Sequence, residues 1–146
     1  MYYFEDHTAD IMITVESQNL TEFFNDILAA LWEIFNSKNF DEIFDGISNK
    51  NFDDNILNKN HEMEFEINFE NEDELVYNFL SKYVFFIDAN RFVMKEVLEV
   101  IIKENIAIFR VKGMVLKKVV SYIKAPTYHN FEVDLQNYYF RGVIDV

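Results

Sequence analysis

Ile11, Ile13 and Val15 alternate with Met12 and Thr14, a period of two that predicts a short strand. The period then lengthens. Leu20, Phe23, Phe24, Ile27, Leu28, Leu31, Ile34 and Phe35 form one apolar stripe at helical spacing, and Asn19 with Glu22 three residues on marks the helix start. Such a stripe faces a core, so its aromatics and Trp32 are given no ligand role. From Asn36 to Asn60 neither period holds, and seven of these 25 residues are Asn. Asparagine amides bond local backbone groups and favour turns, so an Asn-rich surface excursion is expected over 36–60, with one amphipathic turn at Phe40–Ile47. Alternation resumes at Met63, Phe65, Ile67 and Phe69, interleaved with Glu62, Glu64, Glu66 and Asn68, as in a strand with one acidic, solvated face.

Asn71 with Glu74 repeats the helix-start signature, and Leu75, Val76, Phe79, Leu80, Tyr83, Val84, Phe86 and Ile87 give a second helix. Phe92–Ile102 and Ile106–Val111 read as a hairpin turning near Lys103-Glu104-Asn105. Val119–Ile123, Tyr128–Val133 and Tyr138–Ile144 are further strand candidates. This order predicts a single α+β domain over 1–146, with a largely antiparallel sheet and two helices packed on one side of it. The strand–helix opening occurs twice, at Ile11–Phe35 and Met63–Ile87, which suggests two related half-modules.

Composition narrows the classes. The 146 residues include 25 aromatics but only 3 Gly and 1 Pro, which excludes low-complexity disorder. No apolar run reaches the roughly 18 residues of a membrane span, and MYYFEDHTAD lacks the basic flank of a secretory signal. The absence of Cys removes disulfides, thiolate metal sites and thiol nucleophiles, and makes the cytoplasm the expected compartment. Net charge is −13, divided into −16 over residues 1–90 and +3 over residues 91–146. Direct, tight nucleic-acid binding is therefore not expected, because phosphate contacts need Lys and Arg. A solvated acidic surface accounts for the imbalance, as does an acidic face that meets a basic protein partner.

Catalytic templates are missing: there is no G-x-S-x-G, P-loop, G-x-G-x-x-G or H-E-x-x-H. Of three histidines, His61 falls in the Asn-rich stretch, where a solvated side chain is expected; His7 and His129 lie in the polar runs H-T-A-D and P-T-Y-H. Asp10 immediately precedes the strand at Ile11, and Asp145 follows the strand ending at Ile144. Were these strands antiparallel neighbours, Asp10, Asp145 and the carboxylate of Val146 would converge. Three such anions repel unless a cation joins them, and an all-oxygen set selects Ca²⁺ or Mg²⁺, or Mn²⁺, over zinc.

His7-Thr8-Ala9-Asp10-Ile11, the run Ile123-Lys124-Ala125-Pro126-Thr127-Tyr128-His129 and the closing Val143-Ile144-Asp145-Val146 resemble the archease family. The two helices, NLTEFFNDILAALWEIF and DELVYNFLSKYVFFID, are similar to the family's own, so the resemblance spans nearly the whole chain outside 36–60. It implies a fold of two strand–helix–strand–strand modules, one inserted in the other. It also implies a non-catalytic protein cofactor: archeases stimulate the GTP-dependent tRNA-splicing RNA ligase by promoting guanylylation of its active-site histidine, permitting multiple turnovers. Calcium is held in that family at positions matching Asp10, Asp145 and Val146; His7, Lys124 and His129 would flank the site as residues acting on the partner. Met12 stands where a Gly is usual, Lys82 where an acidic residue is common, and Lys117-Lys118 where a Lys-His pair is often found. Competing expectations are a general chaperone or modulator of RNA-modifying enzymes, such as a tRNA methyltransferase, and a metal-dependent hydrolase, for which no nucleophile motif is present.

Overall fold

The computed structural model describes residues 1–6, 10–44, 52–119 and 125–145; for 6, 10, 37–44, 52, 53, 125 and 127–130 it describes the backbone alone. The chain runs β1 (Tyr2–Asp6), β2 (Asp10–Glu16), α1 (Leu20–Phe44), a 3₁₀ turn (Phe52–Asn55), β3 (Ile56–Asn68), α2 (Glu72–Asn90), β4 (Phe92–Lys103), β5 (Ile106–Leu116), β6 (Ala125–Asp134) and β7 (Tyr139–Asp145). The class is α+β.

Both helices start as their sequences dictate. The Glu22 N–H donates to Asn19 Oδ1 at 2.9 Å, and the Glu74 N–H to Asn71 Oδ1 at 2.8 Å, satisfying donors that a first helical turn leaves free. Glu22 reaches back to the Gln18 N–H rather than to the capping residue itself. α2 ends at Arg91, whose φ of 52° is left-handed without being a glycine. Arg91 is held there from both sides: its carbonyl accepts from the Leu116 N–H, and its guanidinium donates to the Lys117 carbonyl.

Two sheets form rather than the single one expected, with strand orders β1-β2-β7-β6 and β3-β5-β4. All pairings are antiparallel. Periodicity identifies strands but not their partners, so this correction was beyond the hydrophobic pattern. The helices do not lie on one side of one sheet; they bridge the two. α1 contacts β1, β2 and β4, while α2 contacts β3, β4 and β6. Phe24 of α1, Phe79 of α2, and Phe65 and Phe109 of the second sheet meet at the centre. Phe24 lies 4.7 Å from Phe79 and 4.9 Å from Phe109, and Phe65 stacks on Phe109 at 5.2 Å. Offset and edge-on pairs of this kind add to the stabilisation from burial itself.

β3-α2-β4-β5 is continuous in sequence and interrupts β2-α1-β6-β7 between its helix and its second strand. In each module the last strand is central, flanked by the first and second. Each central strand carries a glycine three residues before its end, Gly113 before Leu116 and Gly142 before Asp145. In each, the neighbouring second strand breaks register beside that glycine. One extra residue, Lys95, follows the Met94–Gly113 pair, whereas four residues, 128–131, stand against Gly142 alone, an excess of three. A Cβ on Gly113 would collide with the Val93 carbonyl oxygen of the adjacent strand; one on Gly142 would lie 2.6 Å from the ring of Phe140, two residues back on the same strand. Both positions therefore admit only glycine without rearrangement.

Other boundaries also shift. The surface excursion expected over 36–60 gives up 36–44 to α1 and 56–60 to β3; 45–51 lie outside the described residues. Its asparagines had outweighed the apolar residues that continue the helix. β1 has no counterpart among the expected elements; it pads the edge of β2 from Tyr2↔Val15 to Asp6↔Ile11. The hairpin forms with Glu104-Asn105 at its tip. Val119 is in no strand, and 120–123, the rest of that candidate strand, lie outside the described residues. Among described residues no helix is long and apolar enough to cross a membrane.

Candidate functional site

β2 and β7 run antiparallel with Asp10 directly opposite Asp145. On the other flank of β7, Ala125 at the start of β6 is also in register with Asp145. Three strand ends thus lie side by side, carrying positions far apart in sequence. The ladder places them there: from Glu16↔Tyr139 to Asp10↔Asp145 the pairing of β2 with β7 continues without a shift, and reaches the last residue of β7. Behind this end, Ile144 and Val143 are buried and Asp145 is half-buried.

The other candidate residues are near this end in sequence. Lys124 immediately precedes Ala125, Val146 immediately follows Asp145, and His7 lies three positions before Asp10. His7, Lys124 and Val146 are outside the described residues, and the side chains of Asp10 and His129 are likewise not described. The backbone of His129 belongs to β6, within the four-residue bulge opposite Gly142, rather than to a loop. Bulges of this kind re-aim side chains at the rims of sheets. Among the described residues no group of three or more His, Cys, Asp and Glu forms a metal cluster.

Arg141, four residues before Asp145 on β7, is committed elsewhere. Its Nε donates to Glu5 at 3.2 Å, and that bond raises the guanidinium pKa. Lys117 and Lys118 are exposed at the corresponding end of the other sheet. There the buried Asn55 amide accepts from the Lys118 N–H at 3.0 Å and donates to the Lys118 carbonyl at 2.8 Å, while its backbone carbonyl accepts from the Lys117 N–H. His61, expected in a solvated loop, sits in β3 and meets the Phe92 ring edge-on at 5.4 Å, a packing contact rather than a ligand position.

The register of β6, and with it the bulge that carries Tyr128, His129 and Asn130, had no signal in the hydrophobic pattern. The clue available was the polar run P-T-Y-H interrupting an otherwise apolar strand.

Among curated protein sequences none matches this chain. In structure it is similar to protein 1598 of Methanobacterium thermoautotrophicum, solved in solution, with 18% identity, 99% of this chain and 98% of that one covered, and a TM-score of 0.62. It is also similar to the crystal structure of an archease described as a possible chaperone from Thermotoga maritima, with 17% identity, 97% and 92% coverage, and a TM-score of 0.50. At such identities these two likenesses speak for the fold. The profile of the Archease protein family (MTH1598/TM1083) matches residues 2–146, and the chain belongs to that family.

Proposed function

We propose that this protein is a non-catalytic activator of a GTP-dependent tRNA-splicing RNA ligase, promoting guanylylation of the ligase's active-site histidine and so allowing multiple turnovers. The observation that carries the reading is the direct register of Asp10 with Asp145 at an end where β6 also begins. Residues opposite one another in an antiparallel pair have Cβ atoms about 5 Å apart, a separation that two carboxylates can span to one cation. The donors are oxygen alone, as suits Ca²⁺, with Mg²⁺ and Mn²⁺ as chemical alternatives.

Asp10, Asp145 and Val146 would hold that ion, which would supply positive charge beside an anionic partner and join the two strand ends. Of this chain's own groups, His7, Lys124 and His129 would face the ligase, where donors near a nucleotide triphosphate steady developing negative charge. A protein of net charge −13 suits work on a partner protein better than work on the RNA itself. Cytoplasmic residence fits this role.

The test is joining of cleaved tRNA with GTP and limiting ligase, scored as guanylylated ligase and as turnovers per ligase. Wild-type protein is expected to raise both, whereas Asp10→Asn and Asp145→Asn, shown to fold by circular dichroism, lose the stimulation. Full stimulation by both folded variants would overturn the reading. The description of the Thermotoga maritima protein as a possible chaperone favours one second reading, a chaperone or modulator of several RNA-modifying enzymes such as a tRNA methyltransferase. That reading requires stimulation of unrelated clients with little dependence on Asp10.

A further inference from the structure

β3 is an edge strand. Among the described residues it pairs with β5 alone, so its other side presents backbone N–H and C=O groups with no strand against them. Natural edges are usually blunted by Lys, Pro or a covering segment. Over its last seven residues, 62–68, β3 has neither Lys nor Pro, and Glu62, Glu64 and Glu66 are all exposed. Beside this stretch a groove of about 360 Å³ opens towards α2, bordered by Glu66, Ile67 and Asn68 of β3 and by Asn78, Ser81 and Phe85 of α2. Phe85 is 54% exposed, a large apolar ring left in water on an otherwise well-buried helix. Lys82 also lines the groove, with its ammonium 5.5 Å from the Phe85 ring centre and 5.8 Å from that of Phe86.

We propose that the free edge of β3 docks an extended segment of a partner protein in which apolar and basic residues alternate. Successive side chains of a strand point to opposite faces. On β3, Phe65 and Ile67 take the core face and Glu62, Glu64 and Glu66 the solvent face. A strand added to that edge places one set of side chains beside the groove and Phe85, and the other beside the glutamates.

The molecule already contains the precedent on the opposite side of β3. β5 reads Phe109-Arg110-Val111-Lys112, with Phe109 stacked on Phe65 and Arg110 3.3 Å from Glu62. Across the outer face Lys112 is paired in register with Glu62 and Glu96, and Arg110 with Glu64 and Glu99. The sheet therefore alternates acid, base, acid, and stops on acid at the open edge. Among the described residues neither Glu64 nor Glu66 makes an ion pair. A basic strand continues the alternation. A second copy of this chain docked edge to edge would bring two glutamate rows together, and RNA would meet the same negative charge. This surface belongs to the inserted module and does not depend on the ligase reading.

The probes are three short labelled peptides: alternating Val and Lys, alternating Val and Glu, and the Val/Lys composition in two blocks. Each is titrated against the full chain by fluorescence anisotropy and mapped by amide shifts. The Val/Lys alternation is expected to bind, to weaken with salt and to perturb β3 and α2. The Val/Glu peptide, the block peptide and the Glu64→Lys/Glu66→Lys variant should each bind about tenfold more weakly, and Phe85→Ala several-fold more weakly. Phe85 is exposed, so Phe85→Ala should melt with the wild type; Glu64→Lys stands opposite Arg110, so the lower melting expected of the Lys pair is controlled by a Glu64→Gln/Glu66→Gln pair, which should fold as the wild type and bind with intermediate strength. Equal binding of all three peptides, shifts confined to other elements, no binding at all, or self-association through this edge in sedimentation would each overturn the proposal.

Discussion

The two modules share a strand order, a glycine three residues before the end of the central strand and a bulge beside that glycine, yet they finish that end with opposite chemistry. In the inserted module the terminal pair is Ile56 with Leu116, and the buried Asn55 closes it by engaging the backbone of residues 117 and 118. In the outer module the terminal pair is Asp10 with Asp145. The inserted module shows that this architecture can end on an apolar pair and a satisfied amide. Two carboxylates in register are therefore no requirement of the fold, and they repel unless something offsets them. The bulges beside the glycines differ in the same direction: an excess of one residue in β4, of three in β6, the larger one carrying His129. The elaborated end is the one that carries the acidic pair and His129.

Substitutions can break this comparison, starting with the glycines. Gly113→Ala would drive a Cβ into a carbonyl of the adjacent strand, and is expected to cost about 3 kcal/mol or more in urea unfolding. Gly142→Ala meets an aromatic side chain instead, which can give way, and should cost about half as much. Equal costs would mean that the Phe140 ring gives way no more readily than the β4 backbone. The ends come next. If the acidic pair binds calcium, an ion concentration a hundredfold above its Kd should add about 2.7 kcal/mol of stability. That gain should vanish in Asp145→Asn, and hydrogen exchange should slow at the ends of β2 and β7 but not at those of β3 and β5. Asn55→Ala strips the inserted module of two side-chain hydrogen bonds at a buried position, an expected loss of about 2 kcal/mol with calcium response intact.

Smaller effects separate the helices. Tyr83 of α2 is fully buried with no hydrogen-bond partner for its hydroxyl among the described residues, and burial pushes that hydroxyl's pKa far above the ordinary tyrosine value. Tyr83→Phe is expected to raise stability by about 1 kcal/mol, because an unsatisfied polar group leaves the core. On the outer module the Tyr2 hydroxyl donates to Glu33 of α1 at 2.6 Å, and chiefly that bond raises its pKa from 10.0 to about 12. A pKa raised on folding contributes stability that is complete below the unfolded value and lost as pH climbs through the folded one. The small advantage of wild type over Tyr2→Phe should accordingly hold below pH 10 and disappear by about pH 12 in paired thermal melts.

Which parts of this were legible in the sequence follows from the range of each interaction. The stripes of α1 and α2 were plain because a helix writes its buried face locally: the α1 stripe from Phe23 to Phe35 is buried throughout, and the α2 stripe from Leu75 to Ile87 is buried except at the half-buried Val84. The Glu104-Asn105 hairpin was legible for the same reason. β1 was not: Tyr2–Asp6 places three aromatics before two acids and shows no alternation. The division into two sheets was hidden because strand partners are chosen by tertiary packing. Of the site, the meeting of positions 10 and 145 was readable from one acid opening a strand and another closing one. The β6 bulge was not, since an insertion within a strand changes register without changing residue type.

Nesting one module inside the other has a consequence for the order of assembly. The inserted unit, 56–116, draws its sheet from neighbouring stretches of chain, whereas the outer ladder must join residues 10–16 to 139–145. Closing so long a loop is entropically slow, and the inserted unit shortens it by holding the intervening chain compact. The outer sheet is therefore expected to zip after the inserted one, and the carboxylate pair at its tip to form only once residues 139–145 have joined residues 10–16.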